Sequence, residues 1–215
     1  MRTTGWMAGV TLAAVLTACS NSSTVTPTPT AARPSTPQHQ TTPASATPAA
    51  PSQTAVAVEQ HPPGDISDTI AYVAHSSTKG GFSIKVPEGW AETHSAAAVN
   101  FTDKLNTVNV SWTPATSAPT ITSAKKTEVP MLQQSVLAFQ LKSVTTATLP
   151  AGPAVLITYE DNSQPSAVTG KQYRETVLRY ELFHNGQEKV LTLLSPVGAD
   201  NVDPWRIVTE SLQWK

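Results

Sequence analysis

The chain has 215 residues, with 14 Lys and Arg against 15 Asp and Glu and a net charge of −1. So even a balance lacks the electrostatic footprint that nucleic acid or an anionic bilayer selects, and both are set aside as direct partners. The single cysteine, Cys19, excludes a disulfide framework and a cysteine metal site together.

The chain begins with a positive head, Arg2, followed by an apolar run from Met7 to Leu16, which is the layout of an export signal. A helix that crosses a bilayer needs about 20 apolar residues, so this run is too short to be an anchor. Residues 1–18 are read as a signal peptide. Leu16-Thr17-Ala18-Cys19 resembles the bacterial lipobox, a branched apolar residue and two small ones before a cysteine. The resemblance implies a diacylglyceryl group on the Cys19 thiol, cleavage between Ala18 and Cys19, and acylation of the new amino terminus, with palmitate an expected chain. A thiolate is the soft nucleophile such a transfer needs, and small neighbours let the backbone enter a narrow peptidase groove. One acyl chain binds only marginally at about 0.8 kcal/mol per buried methylene, so two or three make the anchoring long-lived. The protein is therefore expected on the extracytoplasmic side of the cell membrane, held there through Cys19.

Residues 19–70 are expected to form a disordered tether. From Ser20 to Thr69 there is no Phe, Trp or Tyr, and nine of the chain's 18 prolines fall there among Ser, Thr, Ala and Gln. Such a composition cannot bury enough apolar surface to offset the entropy of ordering it. Prolines spaced as in Thr26 to Thr30 favour extended polyproline II, which gives a reach between about 40 Å as a coil and about 150 Å when stretched. The stretch reads equally as a bare linker or as a stalk with sugar on Thr26, Thr28 or Thr30.

Residues 71–215 form the one globular candidate, of a size that suits a single core. They hold every Tyr and Phe and four of the five Trp, with 12 Lys and Arg against 12 Asp and Glu. Phe82, Ile84 and Val86 alternate with Ser83 and Lys85, and Pro87-Glu88-Gly89-Trp90 ends that strand in a turn. Further strands are expected around Val108 to Trp112, Val144 to Leu149, Val155 to Glu160, Tyr173 to Phe183 and Val190 to Leu194. In the long run from Gln172 to His184, Leu178, Tyr180 and Leu182 share one face while Glu175, Arg179 and Glu181 share the other, the pattern of a sheet with one wet face. Asn185-Gly186 predicts a tight hairpin. Met131, Leu132, Ser135, Val136 and Phe139 fall at helical spacing behind a Thr127 cap, with Pro130 in the first turn. Asp203 and Pro204 read as N-cap and first residue of a closing helix whose stripe is Trp205, Val208 and Leu212. The fold class expected is α+β, an antiparallel sheet flanked by helices.

FSIKVPEGW, the mid-domain helix, VLITYE, HNGQEKVLTLL and DPWRIVTESLQW, in that order, resemble the PsbP-like superfamily, including the actinobacterial LpqN/LpqT-type lipoproteins. The resemblance covers the domain from Ala71 and implies an antiparallel sheet used as a binding module without shared catalytic residues. No functional residue is carried over from it.

Catalytic patterns are sparse. Ser76 with Lys79 and Ser123 with Lys126 both satisfy Ser-x-x-Lys, but the Ser-Asp-Asn and Lys-Thr-Gly partners of that chemistry are missing. His75, His94 and His184 stand apart in sequence and would be ligands only if folding gathered them. Glu160, Asp161, Glu175 and Glu181 could do acid and base work only if burial or a close partner split their pKa values, and the alternating Glu175, Arg179 and Glu181 read more simply as solubilising charge with cross-strand pairing. Trp90, Trp112, Trp205 and Trp214 read as packing or, alternatively, as the lining of a ligand slot. No catalytic residue, cofactor or metal is assigned, and Cys19 is the one site residue. The expected function is a membrane-anchored, non-enzymatic binding or scaffolding module for another envelope component, protein or glycan. A carrier of a lipid or other apolar ligand is the alternative, and an envelope hydrolase comes third.

Overall fold

The computed structural model describes residues 53–103 and 105–215. The expected signal peptide, Cys19 and residues 19–52 of the expected tether lie outside them. No helix among the described residues is long and apolar enough to cross a membrane.

Strands β1 (Tyr72–Ser77) and β2 (Phe82–Pro87) pair as an antiparallel hairpin, and the short β10 (Gln213–Trp214) adds to the other edge of β2. A second, seven-stranded antiparallel sheet contains β3 (Ala91–His94), β4 (Ala98–Asp103), β5 (Asn106–Pro114), β6 (Gln140–Leu149), β7 (Gly152–Asn162), β8 (Arg174–His184) and β9 (Gln187–Pro196). Its order is β3-β4-β5-β9-β8-β7-β6. The alternation at Phe82, Ile84 and Val86 buries all three, together with Phe101, Val108, Val110, Leu191 and Leu193 of the large sheet. Each such side chain contributes about 1.5–3 kcal/mol by leaving water. Asn185 and Gly186 both take positive φ, 48° and 76°, as a tight hairpin turn requires, and they join β8 to β9.

The mid-domain helix starts earlier than its apolar spacing predicts. Thr120 is the cap, not Thr127: its hydroxyl accepts from the Ser123 amide at 3.0 Å, and the Ser123 hydroxyl accepts from the Thr120 amide at 2.8 Å. The helix runs through α1 (Ile121–Ser123), a wider π-helical turn over Ala124–Glu128, and α2 (Val129–Ser135). The wide turn comes just before Pro130, which lacks an amide proton and whose ring would press on the carbonyl four residues back. Val136 leaves the helix in extended backbone, so Phe139 lies beyond it and packs on Tyr159 with ring centres 5.0 Å apart.

The closing helix, α3 (Val202–Ser211), buries Trp205 and Val208, and Leu212 just after it, as the stripe predicts. Its cap position is Asn201, with Asp203 and Pro204 inside the first turn. The Asn201 side chain is spent elsewhere: Oδ1 accepts from the Ile66 amide at 2.7 Å, and Nδ2 donates to the Gly64 carbonyl at 3.0 Å and to Asn106 Oδ1 at 3.1 Å.

Those bonds correct the expected domain boundary. Ile66, assigned to the tether, is 6 % exposed and belongs to the main core, with Ile70 packed against it. Farther upstream, Asn162 donates to the Thr54 carbonyl and accepts from the Val56 amide. Residues 53–70 lie along the domain because two isoleucines enter its core and buried asparagines satisfy their backbone.

The expected wet face is also corrected. Val155, Ile157, Tyr159 and Val177 point away from the main core and form a second one with Ala124 and Val129 of the helix. On that covered side Glu181 is 1 % exposed and accepts from Arg179 Nε at 2.9 Å, and Arg179 also reaches Glu128 at 3.3 Å. The charges alternate as a wet row would, but the helix and its Glu128 lie over them.

Candidate functional site

A groove of about 420 Å³ with a mainly apolar lining runs between α3 and β8. Leu178 and Tyr180 face it because residues of that parity in β8 point toward α3, while Trp205 and the exposed Val202 come from the helix. Trp205 is fixed by an edge-on contact with Trp90, ring centres 6.3 Å apart. At the rim Arg206 is exposed and paired with Asp203 at 3.1 Å and Glu210 at 3.4 Å. The Thr209 hydroxyl donates back to the Trp205 carbonyl at 2.9 Å. Burial pushes the Tyr180 phenol up from its ordinary value. An indole wall with a polar rim is suited to holding a part-apolar group by shape, not to activating it.

The carboxylates are sorted by strand register. Glu160 and Asp161, adjacent in sequence, point to opposite sides, and Glu160 pairs with Lys142 at 2.9 Å. Asp161 instead stands opposite Glu175 across β7 and β8. Asp161 is 8 % exposed, and its Oδ1 has no hydrogen-bond partner among the described residues. Burial raises the Asp161 carboxyl to about 7 against the pull of Arg174, and burial followed by the charge of Asp161 raises Glu175 to about 8. The two form one coupled pair that retains a proton near neutrality. Neighbouring Tyr159 is raised too, chiefly by burial. The sequence carries a signal for this pair, since a hairpin register counted outward from residues 163–173 opposes Asp161 to Glu175; reading Glu175 as part of a solvated row overlooks it.

Folding does gather two histidines. His75 Nδ1 and His94 Nε2 lie 3.2 and 2.8 Å from the same oxygen, Glu92 Oε1, and tie the edge strands β1 and β3 together. His184 is elsewhere, against Trp214. No group of three or more His, Cys, Asp or Glu among the described residues could hold a metal ion. Neither Ser-x-x-Lys serine is placed as a nucleophile. The Ser123 hydroxyl is spent in the helix cap, and Ser76 sits exposed in the β1–β2 ladder opposite Ser83. The tryptophans do not share one slot, since Trp205 lines the groove with Trp90 packed behind it, while Trp112 packs on Phe82 and Trp214 on His184.

No family model matches the chain, and no curated protein matches it. Among solved structures, cyanobacterial PsbP (CyanoP) from Synechocystis is similar at 16 % identity and a TM-score of 0.48, over 72 % of this chain and 100 % of that one. LpqN of Mycobacterium tuberculosis, described as involved in cell envelope biogenesis, is similar at 16 % identity and a TM-score of 0.39, over 68 % of this chain and 91 % of its own. A Bacteroides thetaiotaomicron protein is similar at 14 % identity and a TM-score of 0.45, over 66 % of this chain. The chain spans about half that protein's length, 48 %. At such values the likeness concerns architecture and says nothing of ligand or partner.

Proposed function

We propose that this chain is an exported lipoprotein in which lipid on Cys19 holds a non-enzymatic binding domain at the extracytoplasmic surface, and that the α3–β8 groove takes a part-apolar portion of another envelope component, protein or glycan. The groove carries the reading: it is not an enclosed cavity, and it combines Trp205, Leu178 and Tyr180 with a polar rim. A carrier would need an enclosed hollow of acyl length. Between the two sheets that space is filled by Phe82, Ile84, Val108, Val110, Leu191 and Leu193.

A photoreactive phenylalanine analogue at Val202, 76 % exposed at the groove, tests the reading in the full chain on intact cells. Mass spectrometry of the photoproduct is expected to find attached peptide or sugar. A product carrying lipid alone transfers the assignment to the carrier, and the absence of any product overturns it. For the anchor, Cys19→Ala is expected to leave the protein uncleaved or to release it from the membrane fraction. Labelled palmitate entering the variant as strongly as the unaltered chain would overturn the attachment.

A further inference from the structure

Where the β1–β2 turn, the β8–β9 hairpin and β10 meet, a cavity of about 470 Å³ is lined by Lys79, Lys189, Lys215, His184, Gln187 and Trp214, among others, and by no aspartate or glutamate. The domain's even charge balance conceals this local excess.

Lys189 is the residue that demands an account. It sits in β9 between Trp112 and Leu182 and is 1 % exposed. Its ammonium lies 3.5 Å from the centre of the Trp214 ring and donates to Gln187 Oε1 at a long 3.5 Å. Three donors are thus met by one weak bond and one aromatic face. The nine ion pairs among the described residues all leave it out. Burial lowers its pKa to about 8, the direction expected of a cation removed from water without a counter-ion. A buried charge left uncompensated is among the most unfavourable arrangements a fold retains.

The surroundings are built and fixed. Trp214 Nε1 donates to the Ala151 carbonyl at 2.9 Å, and the His184 ring lies 5.1 Å from the indole, so the aromatic wall is held on two sides. Gly81, at φ 61°, supplies the left-handed turn that brings the β1–β2 loop beside the Lys215 carbonyl oxygen and Lys189 Nζ. Lys79 and Lys215 add two exposed ammonium groups at the mouth.

We infer that this cavity is a binding site for a phosphate-type oxyanion, with Lys189 as its buried counter-charge and Lys79, Lys215 and His184 around the entrance. Lysines are point charges rather than planar forks, so they suit a compact tetrahedral anion of more than one charge better than a flat carboxylate. The phosphate could be free in solution or the headgroup of a lipid.

The test titrates the full chain with inorganic phosphate by calorimetry, with ionic strength held constant in chloride. Saturable binding in roughly the millimolar range is expected. Lys189→Met keeps the length and removes the charge; it should weaken binding by about tenfold or more while unfolding in urea no earlier than the unaltered chain. Lys79→Gln and Lys215→Gln, both exposed, should each weaken it by about threefold. In a parallel experiment, phosphate should protect the exposed Lys79 and Lys215 from an acylating reagent, read by peptide mass spectrometry, which needs no variant. Vesicles of phosphatidic acid in phosphatidylcholine then separate the sources: capture that free phosphate reverses assigns a headgroup, and binding of free phosphate alone assigns a soluble ligand. Equal phosphate binding by the unaltered chain and Lys189→Met overturns the inference. Should Lys189→Met fail to fold, unchanged binding in the Lys79→Gln/Lys215→Gln double variant overturns it equally, as does the absence of any saturable binding.

Discussion

One face of the seven-stranded sheet meets the β1–β2–β10 sheet and α3 mainly through aliphatic and aromatic side chains, with Phe82, Ile84, Val208 and Leu212 set against Val108, Val110, Leu191 and Leu193 and one charge, Lys189, at its β9 end. The other face begins in the same manner, with Val155, Ile157 and Val177 under the helix, and then continues along β8 into Arg179 and Glu181 and, at its far end, Glu175 beside Asp161. Period-two alternation produces both faces, because it assigns residues to sides and says nothing of what covers each side. The first face obtains its stability from burial, which varies little with pH until Lys189 begins to lose its proton near pH 8. The second gives some stability up by burying carboxyls, and that loss depends on their protons.

The largest effect should come from the first face. Trp205→Ala removes an indole that is 7 % exposed and wedged against Trp90, and should lower stability by about 3–5 kcal/mol, a large share of the 5–15 kcal/mol usual for a domain. Urea unfolding followed by the remaining tryptophans measures it, and the loss should be alike at pH 5 and pH 8. A loss that appears at only one of the two would mean that the first face is not independent of protons. Next comes Ile66→Ala, expected to lower stability by about 2–4 kcal/mol because Ile66 belongs to the same core although it lies upstream of the strands. Unfolding at an unchanged urea concentration would show that residues 53–70 do not hold to the domain in solution.

The second face makes the opposite prediction. Asp161 and Glu175 keep their protons longer when folded, to about 7 and about 8, than their ordinary values of 3.8 and 4.5 allow when unfolded. Their contribution is therefore fully present below about pH 4 and is lost as pH rises through the folded values. Lys189, lowered to about 8, is charged in both states below about pH 7 and adds slope only at the upper end of this window, equally in variant and unaltered chain. Asp161→Asn should thus raise stability by about 2 kcal/mol at pH 8 and hardly at all at pH 4, a figure for the coupled pair as a whole. Parallel urea curves for variant and unaltered chain across pH 4–8 would show the pair to be solvated and the face wet after all.

Much of the fold is legible in the amino-acid sequence alone. Strands β2 and β5 through β9 and the closing stripe follow from alternation and helical spacing, because those residues repeat their apolar side over many positions. Strands β1, β3 and β4 escape such a reading: Tyr72–Ser77 and Ala91–His94 are edge strands with no fully buried residue, and β4 has only Val99 and Phe101 to mark its alternation. Ile66 escapes it because one isoleucine among prolines carries no period. The groove is legible only in part, since Trp205 and Leu178 are each assigned a face but nothing in the spacing brings α3 over β8. Lys189 is invisible for the converse reason, being a lysine within an alternating run that its partner Trp214, 25 residues on, draws into the interior.

The smallest prediction concerns the element that covers the charged face. The mid-domain helix begins at the reciprocal bonds of Thr120 and Ser123, passes through the wide turn, and delivers Ala124 and Val129 to the second core and Glu128 to Arg179. Thr120→Ala removes the side-chain acceptor for the Ser123 amide and should lower stability by about 1 kcal/mol, the usual value of a cap. The effect should reach beyond the helix end. If the first turn frays, Glu128 moves from Arg179, and Glu181 must satisfy that guanidinium alone at a position already shut off from water. Hydrogen exchange should then rise at the amides of Ala124 to Val129 and at Arg179 and Glu181, while Leu191 and Leu193 on the opposite face stay as protected as before. Faster exchange on both faces would mean that the two covers open together, and the contrast between a proton-independent face and a proton-dependent one would have to be given up in favour of a single cooperative core.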